Sequence, residues 1–149
     1  MGRARGLHPA TLACIAAGLC EELDLAGSEQ RLDASLLVLP FLGFDAVHVE
    51  PLVGAGGGVH RHLDDGYYGG GEWLLLTAML GLAEPDRAED CVVWIAAHAT
   101  PEGLLPEQAQ DHLLAPEHYE RWVAKWGPPP CPLLWSHAMF LTLDQAVRN

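Results

Sequence analysis

"GGGVHRHLDDGYYGGGEWLLLTAMLGL", residues 56–82, joins a glycine-rich polar loop to a run that is apolar on nearly every side. The second part, from Glu72 onward, is long for a strand and has no polar face, so it predicts a buried helix over residues 72–82, closed by the Glu-Pro-Asp that follows. The first part sets His60, Arg61, His62, Asp64, Asp65, Tyr67 and Tyr68 between two glycine triplets. Neither triplet has the spacing of a dinucleotide-binding or phosphate-binding loop. Glycine has no Cβ, so these residues let a backbone turn sharply or approach a ligand closely.

Outward from that stretch, the chain reads as helices separated by polar breaks. Leu12, Ile15, Leu19 and Leu23 recur at steps of three and four, which predicts a helix over residues 10–25 stopped by Gly27. Residues 32–39 are a short apolar run ended by Pro40, and the stretch from 41 to 58 reads as loop with room for one helical turn. A helix is predicted over 87–99, with Ala88, Val92, Ile95, Ala96 and Ala99 in register and Asp86 as N-cap. Pro116 suits the first turn of another, running to Trp126 and stopped by Gly127. The last covers 133–147, with Leu134, Ala138, Leu141 and Gln145 along one side. No alternating strand pattern is visible. Helices joined in turn by short turns and long ornate loops predict an all-α fold of stacked helical hairpins, with function gathered at the end where the long loops meet.

The composition narrows the partners. The 149 residues suffice for one domain with one core. Twenty acidic against eight basic side chains give a net charge of -12, so nucleic acid and anionic membranes are repelled and a neutral ligand is the expected partner. No stretch reaches the eighteen or so apolar residues of a membrane span. Arg3 and Arg5 precede an apolar run, but that run continues amphipathically without a small-residue cleavage pattern, which favours a cytoplasmic protein over a secreted one. Cys14, Cys20, Cys91 and Cys131 form no paired-cysteine motif and are expected to be buried thiols of a reducing compartment.

Several residues stand out for chemistry. His60 and His62 form an HxH pair, but no third ligand stands at a fixed spacing, so no metal is expected. Ser136 and His137 are neighbours on a helix and therefore point apart, which suits helix packing and not a nucleophile–base pair. Glu107 follows a proline in a loop and precedes Gln108. A carboxylate held in one orientation there suits a general base acting on a water. Tyr67, Tyr68, Trp73, Trp126 and Trp135 lie beside these loops, and flat rings match the CH faces of sugars.

Taken together, "VHRHLDDGYYGGGEWLLLTAMLGL", "GLLPEQ" and "PLLWSHAMFLTL", preceded by "LDASLLVLPFLGF", resemble in order and rough spacing the C-terminal part of glycoside hydrolase family 15, the glucoamylase-like enzymes. The resemblance runs from about Leu32 to about Leu143. It implies part of an (α/α)6 barrel whose active site lies in the loop funnel at one end, with residues 1–149 as the C-terminal portion of such a catalytic domain. It assigns Glu107 as the catalytic general base of an inverting reaction, in which acid and base stand about 6.5–9.5 Å apart to admit the attacking water. It places Arg61 and Asp65 on the nonreducing-end sugar, adds Trp135 to the same pocket, and suggests that Tyr68 reaches in as well. The implied substrate is a neutral oligosaccharide or α-glucoside, with trehalose among the linkages open to the family, and no cofactor is implied.

The resemblance also has gaps. No segment before Arg61 looks like the loop that carries the family's general acid. His62 and Gly66 replace the usual tyrosine and the usual threonine or valine, and "GLAEPDRAED" is a shorter link than the family shows. A noncatalytic sugar-binding chain or a degenerate fragment is the alternative. Half a barrel leaves inner helix faces without partners, so a contiguous exposed apolar patch is expected, to be covered by the rest of the barrel or by self-association.

Overall fold

The computed structural model describes residues 32–45 and 48–149, together with His8, Thr11 and Cys14. The helix predicted over 10–25 lies, apart from Thr11 and Cys14, outside the described residues. Four α-helices carry the rest: α1 Leu74–Ala83, α2 Ala88–Ala97, α3 Tyr119–Trp126 and α4 Leu134–Arg148. The fold is mostly helical, as its patterning predicts, and α1 is its centre. Every residue of α1 from Leu74 to Gly81 is buried, because α2, α4 and a 3-10 helix at Ala34–Leu42 enclose it. Burying a leucine side chain contributes about 1.5–3 kcal/mol, so Leu74, Leu75, Leu76 and Leu80 dominate the core.

The caps follow local chemistry. The Asp33 carboxylate accepts from Ser35 N–H at 2.9 Å and starts the 3-10 helix, which runs through Pro40 and stops at Gly43, where φ is +84°. The run read as ending at Pro40 is therefore a helix ending two residues later. Asp86 does not cap α2: Pro85 opens a 3-10 turn, Pro85–Arg87, that places Asp86 inside the turn and leads directly into the helix. A similar turn, Pro116–His118, leads into α3, and Gly127 ends it with φ +83°.

Three two-residue strands correct the expectation of a chain without strands. β1 Val59–His60, β2 Glu72–Trp73 and β3 Gln108–Ala109 form an antiparallel sheet in that order, pairing Val59 with Trp73, His60 with Glu72, Glu72 with Ala109 and Trp73 with Gln108. Strands of two residues are below the length at which alternation can be read. Their consequence is large, because they align the "VHRH", "GGGEW" and "PEQA" segments side by side. Thr77 ties the sheet to α1: its hydroxyl donates to Trp73 C=O at 2.8 Å and accepts from Val59 N–H at 3.0 Å.

Two more expectations change. The Leu134, Ala138, Leu141 and Gln145 side of α4 faces solvent, while Ser136 and Leu143 are buried and Met139 and Phe140 meet the core. Of the cysteines, Cys91 is buried with its thiol pushed up to about 11 by burial, but Cys14 and Cys131 are exposed free thiols. Cys20 lies outside the described residues.

Candidate functional site

Arg61 leaves the end of β1 and forks onto Asp65, Nε to Oδ2 at 3.0 Å and Nη2 to Oδ1 at 2.7 Å. The Asp65 side chain is only 2% exposed, and its Oδ1 also accepts from Tyr67 N–H at 2.9 Å. A bidentate pair with a backbone donor fixes both groups, leaving the outer face of the guanidinium to a ligand. That guanidinium lies 5.3 Å from the ring centroids of both Tyr67 and Trp73, which stack on each other at 5.9 Å.

Glu107 precedes β3, and its backbone is held on both sides: its N–H donates to Pro130 C=O at 2.9 Å and its C=O accepts from Leu74 N–H at 3.3 Å. Tyr67 donates its hydroxyl hydrogen to Glu107 Oε2 at 3.0 Å. Burial raises the Glu107 carboxyl above the usual range, against the opposing pull of the Tyr67 hydroxyl and Arg61. Burial and the Glu107 carboxylate push the Tyr67 phenol up to about 12, so it remains a donor at any physiological pH. A carboxylate poised nearer neutrality, and gripped by one phenol, has the character of a general base.

The motif points to Tyr68, whereas the residue that reaches Glu107 is Tyr67. Tyr68 is buried among Tyr67, Trp122 and Tyr119, with φ +45° and ψ +39°. A left-handed conformation is uncommon for a tyrosine, and here it sets the two consecutive rings edge to face, with centroids 4.8 Å apart and an interplanar angle of 88°. Trp122 closes on Tyr67 edge-on at 5.0 Å, a member of the site that no motif signalled. Two glycines of the second triplet are required as such: a Cβ on Gly70 would lie 2.2 Å from Asp65 C=O, and one on Gly71 would lie 2.1 Å from Ala109 C=O. What they permit is the close approach of one backbone segment to another.

An open cleft of about 520 Å³ is lined by Asp33, Ser35, Arg61, His62, Trp73 and Trp135 among others. Trp135 is 60% exposed and lines this cleft with Arg61. Asp33 is the carboxyl that lines this cleft. Burial opposes its ionisation, but the Ser35 hydrogen bonds, aided by His8 and His62, outweigh burial and hold it below the usual carboxylate range. His60 and His62 do not share a face: His60 Nδ1 bonds Gly70 C=O at 3.0 Å, while His62 Nδ1 lies 2.7 Å from Asp64 Oδ1. Among the described residues no group of three or more His, Cys, Asp or Glu side chains could hold a metal ion.

A forked arginine, aromatic faces and a carboxyl raised by burial thus stand together on a helical scaffold. The chain is 50% identical over 92 residues to an isomaltose glucohydrolase of Kribbella flavida, a match spanning 58% of this chain and 24% of that protein. A solved glycosidase variant in complex with glucose superposes with a TM-score of 0.82 at 30% identity, over 99% of this chain and 53% of the other. Another glycosidase variant gives 0.71 at 40% identity, over 80% of this chain and 37% of the other. No family model matches the sequence. The relatives are glycosidases, and this chain spans a quarter to about half of their lengths.

Proposed function

We propose that this chain is the base-bearing part of a glucoamylase-like glycoside hydrolase of family 15, one that releases glucose from the nonreducing end of an α-glucoside with inversion. The observation that carries the reading is the Tyr67–Glu107 hydrogen bond beside the Arg61–Asp65 fork. Glu107 would accept a proton from water as that water attacks the anomeric carbon. Arg61 would donate to sugar hydroxyls while Asp65 holds it in place, and Trp73 and Trp135 would offer ring faces to the sugar.

The leaving oxygen needs a proton from a second carboxyl. Asp33 is held ionised and Asp65 is engaged by Arg61, so neither suits that role. In this proposal the general acid belongs to the remainder of an (α/α)6 barrel, and the partner is a neutral oligosaccharide. The match to an isomaltose glucohydrolase favours isomaltose over maltose or trehalose. The same lack of an acid among the described residues of the cleft favours, as the second reading, a chain that binds sugar without cleaving glucosides on its own.

α-Glucosyl fluoride separates these readings, because fluoride leaves with little protonation and the reaction then needs mainly the base. The purified chain is expected to hydrolyse it to β-glucose, seen by NMR of the fresh product, and Glu107→Gln is expected to lose at least about a hundredfold of that rate. Glucose binding without fluoride hydrolysis would establish the binding reading. Neither binding nor hydrolysis would remove both.

A further inference from the structure

The first turn of α4 grips the segment that presents Glu107. Leu105 N–H donates to His137 Nε2 at 3.0 Å, and Ser136 Oγ donates to Pro106 C=O at 2.9 Å. Leu133 N–H closes the same contact by donating to Leu105 C=O at 2.8 Å. The peptide unit between Pro106 and Glu107 is therefore held at both edges, its C=O by Ser136 and its N–H by Pro130 C=O. The next unit is held by Leu74 N–H on the Glu107 carbonyl. Pro106 fixes its own φ, so rotation about the backbone has little room to move the Glu107 carboxyl.

We propose that Ser136 and His137 are positioning residues for Glu107, and that packing is not the whole of their role. This rests on the reading of Glu107 as the base. His137 must accept through Nε2, so its ring is neutral with the proton on Nδ1. Ser136 is buried and spends its hydroxyl hydrogen on Pro106, one peptide from the base. Neither acts on substrate. Their effect is to hold the carboxylate at the distance and angle that the Tyr67 hydroxyl and an attacking water require, and misplacement by about 1 Å can cost on the order of a hundredfold in rate.

The test uses the whole chain and compares His137→Ala, His137→Gln and Ser136→Ala. Imidazole 15N shifts of the unmodified protein are expected to show the Nδ1–H tautomer at His137. Carbon-detected titration is expected to show a Glu107 carboxyl whose midpoint moves in His137→Ala and Ser136→Ala. The side-chain amide introduced by His137→Gln offers an acceptor oxygen to Leu105 N–H, so that variant is expected to return the midpoint toward its original value. On α-glucosyl fluoride, the alanine variants are expected to lose about tenfold in kcat with KM within about twofold. An Nε2–H tautomer, or a Glu107 titration unmoved in both alanine variants, overturns the proposal. If the unmodified chain hydrolyses no fluoride, the proposed function falls, and the tautomer and the titration still decide this one.

Discussion

Tyr67 and Glu107 stand 40 residues apart in sequence and meet at 3.0 Å, phenol to carboxylate. The small sheet makes that meeting, since Glu107 immediately precedes β3 and Tyr67 sits in the loop between β1 and β2. A hydrogen bond to a charged group contributes about 1.5–3 kcal/mol. Tyr67→Phe removes it, and is expected to raise the Glu107 carboxyl further and to cut turnover of α-glucosyl fluoride roughly tenfold or more. Tyr68→Phe leaves the Tyr67–Glu107 contact in place and is expected to change kcat by less than about threefold. Equal effects of the two substitutions would show that Tyr67 is not the residue acting on Glu107.

Arg61 supports Asp65 with a charged fork, and the Tyr67 N–H adds one neutral donor. Arg61→Ala leaves a buried carboxylate with that backbone donor, at a cost of about 2 kcal/mol, and removes the proposed sugar contact. Lower thermal stability and loss of glucose binding by calorimetry should therefore appear together. Arg61→Lys keeps the charge but cannot fork. It is expected to recover part of the stability and little of the binding. Full glucose affinity in Arg61→Lys would show that the fork does not matter.

The helices were legible because their signals are local. Pro116 and Gly127 bracket α3, and the apolar run from Glu72 could only be buried. Glu107, Arg61 and Asp65 were legible through motifs, which the structure brings to one corner through the sheet. What failed depended on direction. Choosing Tyr67 over Tyr68 turns on one positive φ, to which neighbouring identical residues give no clue. The apolar stripe of α4 reads as a core face by period alone, yet Leu134 is 83% and Leu141 63% exposed. Trp122 belongs to no motif and arrives at Tyr67 only because α3 folds back over the loop.

The pH dependence of stability carries its own prediction. Burial raises Glu107 in the folded chain above its unfolded value, so the native state binds more protons than the unfolded state between the two pKa values. Stability supplied by this group is then complete below the unfolded pKa and is lost as pH rises through the folded one. Glu107→Gln cannot ionise. It is expected to unfold at a higher temperature than the unmodified chain near neutral pH, with the gap closing as pH falls through the raised folded pKa toward about 4. A constant gap from about pH 4 to 8 in thermal scans would mean that Glu107 titrates as an ordinary exposed carboxyl.

The two faces of α4 can be told apart by truncation. Leu143 is fully buried, and its methyls would lie 2.9 and 3.1 Å from a Cβ on Gly81 of α1. Leu143→Ala removes that contact and opens a cavity at the centre of the helix packing, for an expected loss of about 2–5 kcal/mol in denaturant titration. Gly81→Ala brings its new Cβ against the same methyls and against Cys91 Cβ at 3.1 Å, and is expected to destabilise through crowding. Leu134→Ala and Leu141→Ala, on the solvent side, are expected to stay within about 0.5 kcal/mol. Because that side is an exposed apolar stripe, Leu134→Glu with Leu141→Glu should also lower binding of a hydrophobic dye without lowering stability. Losses at Leu134 and Leu141 comparable to that at Leu143 would mean that the stripe is covered in solution by another surface.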